Sequence, residues 1–292
     1  MYFKASTTIG QKVFCYFAFM KQRYLLLITL LTLSVLAAAH EFWLQPAFFF
    51  ATPGSTVPVD ILVGEGFVGE ASEGKKNRIV TYRHYSSTDS TSLTPKLVGN
   101  NYGSVSIKFT QPGTHLLVFA NTPKFITLKP KEFLAYLKED GLDHVVAARQ
   151  QLGQTNKPSR ELYRRCVKSL VQVGDQPDDT YARPTNLTLD ITPTQNPYTL
   201  RQGQMAGFRV LFRGKPLADA LVRHWVSPNA TTKATEVQQR SDANGLVQFK
   251  LLSGRNMVST VLMIPNDEDT KDQADWQSYW GSLTFGVSRE GR

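Results

Sequence analysis

Hydrophobic and polar positions alternate in two separate stretches of the chain. In the first, Ser55-Thr56-Val57-Pro58-Val59-Asp60-Ile61-Leu62-Val63 is rich in β-branched residues and is broken by Gly64-Glu65-Gly66. Ser104 to Thr110 places Val105, Ile107 and Phe109 on one face. A Gln111-Pro112-Gly113-Thr114 turn then leads into a strand from Thr114 to Ala120. Period-two patterning between turn signals predicts short strands, and several in a row predict a sandwich. Glu70 to Asn77 reads as a loop. The second stretch begins near Asn186, where Leu187, Leu189 and Ile191 alternate. Gly207 to Arg213 and Ala220 to Val226 follow, with Gly214-Lys215-Pro216 between them, and are expected to pair. Asp242-Ala243-Asn244-Gly245 is a turn before Leu246 to Leu251. Met257 to Ile264 and Trp276 to Val287 close the series.

Between these stretches the period changes. Phe133, Leu134 and Leu137 fall on one face of a helix over Lys131–Glu139, which Gly141 ends. Leu142 to Leu152 is a second helix. Ser159 is placed to cap a third, Arg160 to Val171, on which Leu162, Cys166 and Leu170 recur every four residues and Arg164, Arg165 and Lys168 face away. Gly174 to Asp179 reads as a linker. The expectation is a mainly β protein with two β-sandwich domains, 40–128 and 185–288, the second Ig-like or transthyretin-like. A helical segment, 129–175, lies between them, and a fragment from about Thr185 is expected to fold alone.

The first 39 residues read as a pre-sequence. Met20-Lys21-Gln22-Arg23 is a basic head, Tyr24 to Leu36 an apolar run, and Ala37-Ala38-Ala39 a small-residue cleavage site, the three parts of a secretory signal. Met1 to Phe19 fits no part of that plan, so translation is expected to start at Met20. The apolar run is shorter than the roughly 20 residues of a membrane span, and Thr29, Thr32 and Ser34 interrupt it. A soluble periplasmic protein with no span after cleavage is therefore expected. Cleavage after Ala39 makes His40 the first residue, its free amine beside its imidazole. Cleavage after Ala37 gives Ala38-Ala39-His40, whose amine, amides and imidazole can wrap a metal in a square plane suited to Cu(II) or Ni(II).

The 292-residue chain carries a formal charge of +9; without residues 1–39 it keeps 29 basic and 24 acidic groups. No Lys/Arg run interleaves with aromatics, so nucleic acid is not an expected partner. The cysteines are Cys15 and Cys166, which leaves one thiol after cleavage. Cys166 sits on an apolar face and is expected to be a buried, unreactive small hydrophobe.

The order of several short words resembles the secreted bacterial family named for a domain of unknown function, DUF4198, formerly labelled nickel-uptake (NikM-like) proteins. The words are His40-Glu41-Phe42-Trp43-Leu44 and Glu161-Leu162-Tyr163-Arg164-Arg165 with Lys168. Then come Asn196-Pro197, Gly214-Lys215-Pro216-Leu217, Asp242-Ala243-Asn244-Gly245 and Trp276-Gln277-Ser278-Tyr279-Trp280 with Ser282-Leu283-Thr284-Phe285. The resemblance implies a periplasmic protein handling a divalent transition metal (nickel, cobalt or copper), with a metal-transport permease as partner. Where the family often carries Val-His-Met, this chain has Val261-Leu262-Met263.

His40 is the first candidate, through its imidazole and the amine beside it. His115, in a first-domain strand, and His84, in Tyr82-Arg83-His84-Tyr85, are the other metal candidates; satisfied strand histidines are the alternative for both. Glu41 adds a carboxylate or is solvated, and Met263 is a soft ligand or core. His144 and His224 are scattered, and no local zinc spacing occurs. The acidic run Asp267 to Asp275 lacks the EF-hand spacing and reads as a solvated loop. Arg160, Arg164, Arg165 and Lys168 could hold an anion; alternatively Glu161 pairs with Arg165 one helical turn on. No Gly-x-Ser-x-Gly elbow, HExxH or P-loop is present, so no enzyme is expected. The reading is a transition-metal binder holding its metal at the N-terminus. Its alternative is a metal-free Ig-like binding module for protein or carbohydrate, and a copper enzyme built on an N-terminal histidine comes third.

Overall fold

A computed structural model describes residues 41–229, 231–266 and 273–288. The signal segment, His40 and most of the acidic run lie outside the described residues. The described residues form one compact unit.

The first stretch forms β1 (Glu41–Pro46), β2 (Phe50–Ala51), β3 (Thr56–Glu65), β4 (Val68–Ala71), β5 (Ile79–Tyr85), β6 (Ser90–Ser92), β7 (Ser104–Lys108), β8 (Gly113–Asn121) and β9 (Lys124–Leu128). Two helices follow, α1 (Pro130–Glu139) and α2 (Asp143–Gln151). Then come β10 (Ser159–Val173), β11 (Leu189–Pro193), β12 (Met205–Phe212), β13 (Lys215–Pro216), β14 (Leu221–Ser227), β15 (Thr235–Arg240), β16 (Leu246–Lys250), β17 (Gly254–Pro265) and β18 (Trp276–Val287). The fold is mainly β with a short helical insert.

These strands form three sheets. A ten-stranded sheet runs β15-β14-β17-β18-β10-β8-β5-β6, with β2 and β9 also on β10. In one four-stranded sheet β3 carries β1, β4 and β7; in the other β12 carries β11, β13 and β16. The large sheet thus draws strands from both stretches that the sequence separates. Its centre is β10, antiparallel to β8 and parallel to β18 from Glu161↔Trp276 to Ser169↔Thr284.

The third expected helix is therefore a strand. A spacing of four is a multiple of two, so Leu162, Cys166 and Leu170 share one face of a strand as readily as one face of a helix. The residues between them decide. Val167, Val171 and Val173 pack with Phe42, Val59 and Ile107 into one core. Cys166 and Leu170 pack with Ile191, Phe208 and Phe285 into another. Both faces are covered, as in a fully enclosed sheet centre. The small sheets consequently lie on opposite faces of the large one, and β8 shows the same division, Leu117 and Phe119 one way and Leu116 and Val118 the other. Trp43 and Phe67 extend the β1 side over Trp225 and Met257 of β14 and β17.

The expected pairing of Gly207–Arg213 with Ala220–Val226 does not occur. β12 and β14 lie in different sheets, because β14 takes β15 and β17 as neighbours while β12 takes β16. The Asn-Gly turn does form. Gly245 adopts φ 72°, its N–H donates to the Asp242 carbonyl, and Asp242 Oδ1 accepts from the N–H groups of Asn244 and Leu246. Cys166 is buried and free, and burial raises its thiol pKa. No helix among the described residues is long and apolar enough to cross a membrane.

Candidate functional site

Two of the three candidate ligands meet. On the antiparallel pair β5 and β8, His84 lies opposite Leu117, two residues from His115, so the two imidazoles are diagonal neighbours on one face. His84 Nε2 is 2.7 Å from His115 Nδ1. The ring planes differ by 23° and the centroids lie 4.9 Å apart, so the near-coplanar rings meet end to end. His115 Nε2 lies 2.9 Å from the Gln111 carbonyl, which only accepts, so that nitrogen carries a proton. Neutral His115 then presents a bare Nδ1, and His84 Nε2–H donates to it. Phe109 packs edge-on to both rings. Burial, with His115 adding to it, lowers the His84 pKa to about 4, and burial also lowers that of His115. Both rings are neutral at pH 7, the state in which histidine binds metals. The proton shared between them would have to leave before one ion could take both nitrogens. His40 is outside the described residues. Among the described residues no group of three or more His, Cys, Asp or Glu side chains could hold a metal.

The remaining histidines have structural partners. His144 Nε2 donates to the Met263 carbonyl (2.8 Å), and His224 Nε2 lies 2.9 Å from Asn256 Oδ1 within the sheet. Met263 is fully buried.

Beside the start of β1 lies a buried charged layer that the sequence reading did not assemble. Odd-numbered Glu161 and Arg165 of β10 point to the same face as Arg223 of β14 and Ser278 and Trp280 of β18, and α1 covers them. Glu161 Oε1 accepts from Tyr136 (3.2 Å) and from Ser278, whose oxygen accepts from Trp280 Nε1 (3.1 Å). Tyr136 stacks on Trp280, and the Arg165 guanidinium sits 4.5 Å from the Trp280 ring centre and 5.4 Å from that of Phe42. Arg223 pairs with Asp140 and Glu236 and donates to the Glu139 carbonyl. Asp140 Oδ2 is buried without a hydrogen-bond partner among the described residues. Burial pushes Glu41 and Glu161 up to about 7 and Asp140 to about 6, and nearby Arg165 and Arg223 hold the shifts down. Glu161 and Arg165 are thus two buried groups on one strand face and not neighbours on successive helical turns. Arg164 follows the other parity, its guanidinium 4.9 Å from the Tyr279 ring centre. Arg160 pairs with Asp275 at the strand's start.

The sheet also ends in an open edge. All six residues of β15, Thr235-Glu236-Val237-Gln238-Gln239-Arg240, are exposed. Ser241 N–H donates to the Ala220 carbonyl, so odd positions of this strand face β14. Antiparallel alternation then turns the backbone N–H and C=O groups of Glu236, Gln238 and Arg240 away from the sheet. The strand contains no proline and no bulge that would blunt the edge.

A family model described as "Domain of unknown function (DUF4198)" matches residues 37–263. No protein of curated function matches the chain. Likenesses to solved structures are weak. A trypsin-activated alpha-2-macroglobulin from Escherichia coli shares 10% identity, covering 86% of this chain and 16% of that one, with a TM-score of 0.20. A tetra-tandem repeat in the extending region of a large adhesion protein shares 9%, covering 86% and 50%, at 0.21. A DUF3823 family protein from Bacteroides uniformis shares 9%, covering 85% and 100%, at 0.22.

Proposed function

The chain belongs to the DUF4198 family, and we propose that it is an exported binding module that takes an extended segment of a partner protein onto β15. The observation that supports this reading is the open edge, with three outward-facing backbone donors and three acceptors on a strand exposed along its whole length. Strand addition supplies affinity through main-chain bonds, while alternate side chains supply selectivity. Val237, 59% exposed, is the apolar position an added strand would cover. The test is Gln238→Pro. Its N–H faces outward, so proline there leaves the ladder to β14 intact while removing a donor from the open edge. With a photo-crosslinking residue at Val237, the exported protein is expected to trap one partner, and Gln238→Pro is expected to abolish the crosslink at unchanged melting temperature. A crosslink that survives the proline, or none in the parent, refutes strand addition.

A second reading, a transition metal held at the mature N-terminus, has support from Glu41. The β1 ladder begins there, at Glu41↔Gly64, one residue past His40, and its carboxyl pKa is pushed up to about 7. An N-terminal amine would thus emerge beside a partly desolvated carboxylate. The N-terminus of the exported protein is first fixed by intact mass. Cu(II) and Ni(II) are then titrated into the native protein, His40→Ala and a form bearing an N-terminal extension. Binding is expected only in the first and to weaken as pH falls through about 6.5. Equal affinity in all three removes this reading.

A further inference from the structure

The outer face of β12 carries Arg209 and Leu211, level with Thr192 and Asp190 of β11, and Arg213 stands in the turn just beyond. The stretch 181–188 runs past this face and is tied to it where Arg213 N–H donates to the Thr188 carbonyl. Together they border an open cleft of about 750 Å³. Its lining is cationic: Arg183, Arg209 and Arg213 all reach it. The acid in the lining, Asp190, is already neutralised by buried Lys168 and accepts from Thr185. Arg183 is fixed in place, donating to the Ser86 carbonyl at 3.1 Å with its guanidinium 5.0 Å from the Tyr85 ring centre. Arg209 and Arg213 form no ion pair among the described residues and are exposed, so their donors are available. Arg213 and Gly214, with φ of 51° and 75°, form the two-residue hairpin turn between β12 and β13.

We propose that this cleft binds an organic oxyanion of sugar size, a polyhydroxylated molecule bearing a carboxylate or phosphate. Guanidinium forks pair with either group in two parallel hydrogen bonds. Thr188 offers a hydroxyl, and Leu211 and Leu187 an apolar wall, for the body of the ligand. The volume lies within the range of small-molecule sites, about 300–1,000 Å³. Three arginines against one neutralised acid also concentrate anions at the mouth. No lining residue belongs to β14 or β15, so the strand-addition reading stands or falls separately.

The test uses the exported full-length protein at low salt with four probes: trigalacturonate, glucose 6-phosphate, inorganic phosphate and neutral maltotriose. Saturable binding of trigalacturonate or of glucose 6-phosphate is expected, and which of them binds tells carboxylate from phosphate. Arg209→Ala and Arg213→Ala are each expected to weaken it at least tenfold. Arg209→Glu, at an exposed position compatible with folding, is expected to abolish it at unchanged melting temperature. No binding of either organic anion overturns the proposal, as does maltotriose or inorganic phosphate binding equally well. Unchanged affinity in the arginine variants overturns it too.

Discussion

Glu161 shows what a single residue does in a low-dielectric setting. Its carboxyl is held up near 7 by burial, with Tyr136 and Ser278 donating to one oxygen. A carboxyl whose folded pKa is raised binds its proton more tightly in the folded state. The stability this contributes is complete below the ordinary value near 4.5 and is lost as pH rises through about 7. Glu161→Gln keeps the acceptor oxygen and removes the ionisation. It is expected to stabilise the protein at pH 8 by on the order of 2 kcal/mol and to leave it little changed at pH 4.5. Urea denaturation at the two pH values checks this, and lower stability of the variant at pH 8 would contradict the buried-carboxyl account. His84 works in the opposite sense, since its folded pKa lies below the unfolded one and protonation favours the unfolded chain.

At the scale of the element, β10 decides the architecture. It is a 15-residue strand enclosed on both faces, and its one lysine in the buried run, Lys168, is 1% exposed and paired with Asp190, with Thr192 accepting at 3.1 Å. Removing one partner of a buried pair strands the other. Lys168→Ala is therefore expected to destabilise by about 3–5 kcal/mol, whereas Lys168→Met with Asp190→Leu is expected to recover most of that loss. A double-mutant cycle by chemical denaturation measures the coupling, and additive effects would show that the pair contributes nothing. The helical reading of this segment would have put Lys168 in water, where alanine costs little, so the same measurement separates strand from helix.

For the whole molecule, the shared sheet predicts cooperativity. β18 has β17 on one side and β10 on the other, so a fragment starting at Thr185 loses the parallel partner of nine strand positions. The fragment is expected to remain unfolded, in contrast to the autonomous domain that the alternation after Asn186 suggests. The chain from residue 40 onward is expected to unfold in one calorimetric transition whose van't Hoff and calorimetric enthalpies agree. Two transitions, or a well-dispersed spectrum from the fragment, would show that the halves fold independently.

Local pattern was sufficient where one physical cause acts within a few residues. Alternation at Thr56 to Val63 and Ser104 to Lys108, the Asn-Gly turn and the helix over Phe133 and Leu137 were all legible, because side-chain period and turn chemistry are local properties. The DUF4198 words were legible for the same reason. The strand nature of Glu161 to Val173 was not, since a four-residue repeat satisfies both periods and only covering sheets on two faces select between them. Pairing of His84 with His115 required the β5–β8 register, which no spacing in the sequence encodes. The buried layer of Glu161, Arg165, Asp140 and Arg223 and the arginine cleft bring together residues from distant segments. Arg165 and Lys168 read as the polar side of a helix in sequence, because burial is a property of what packs on top.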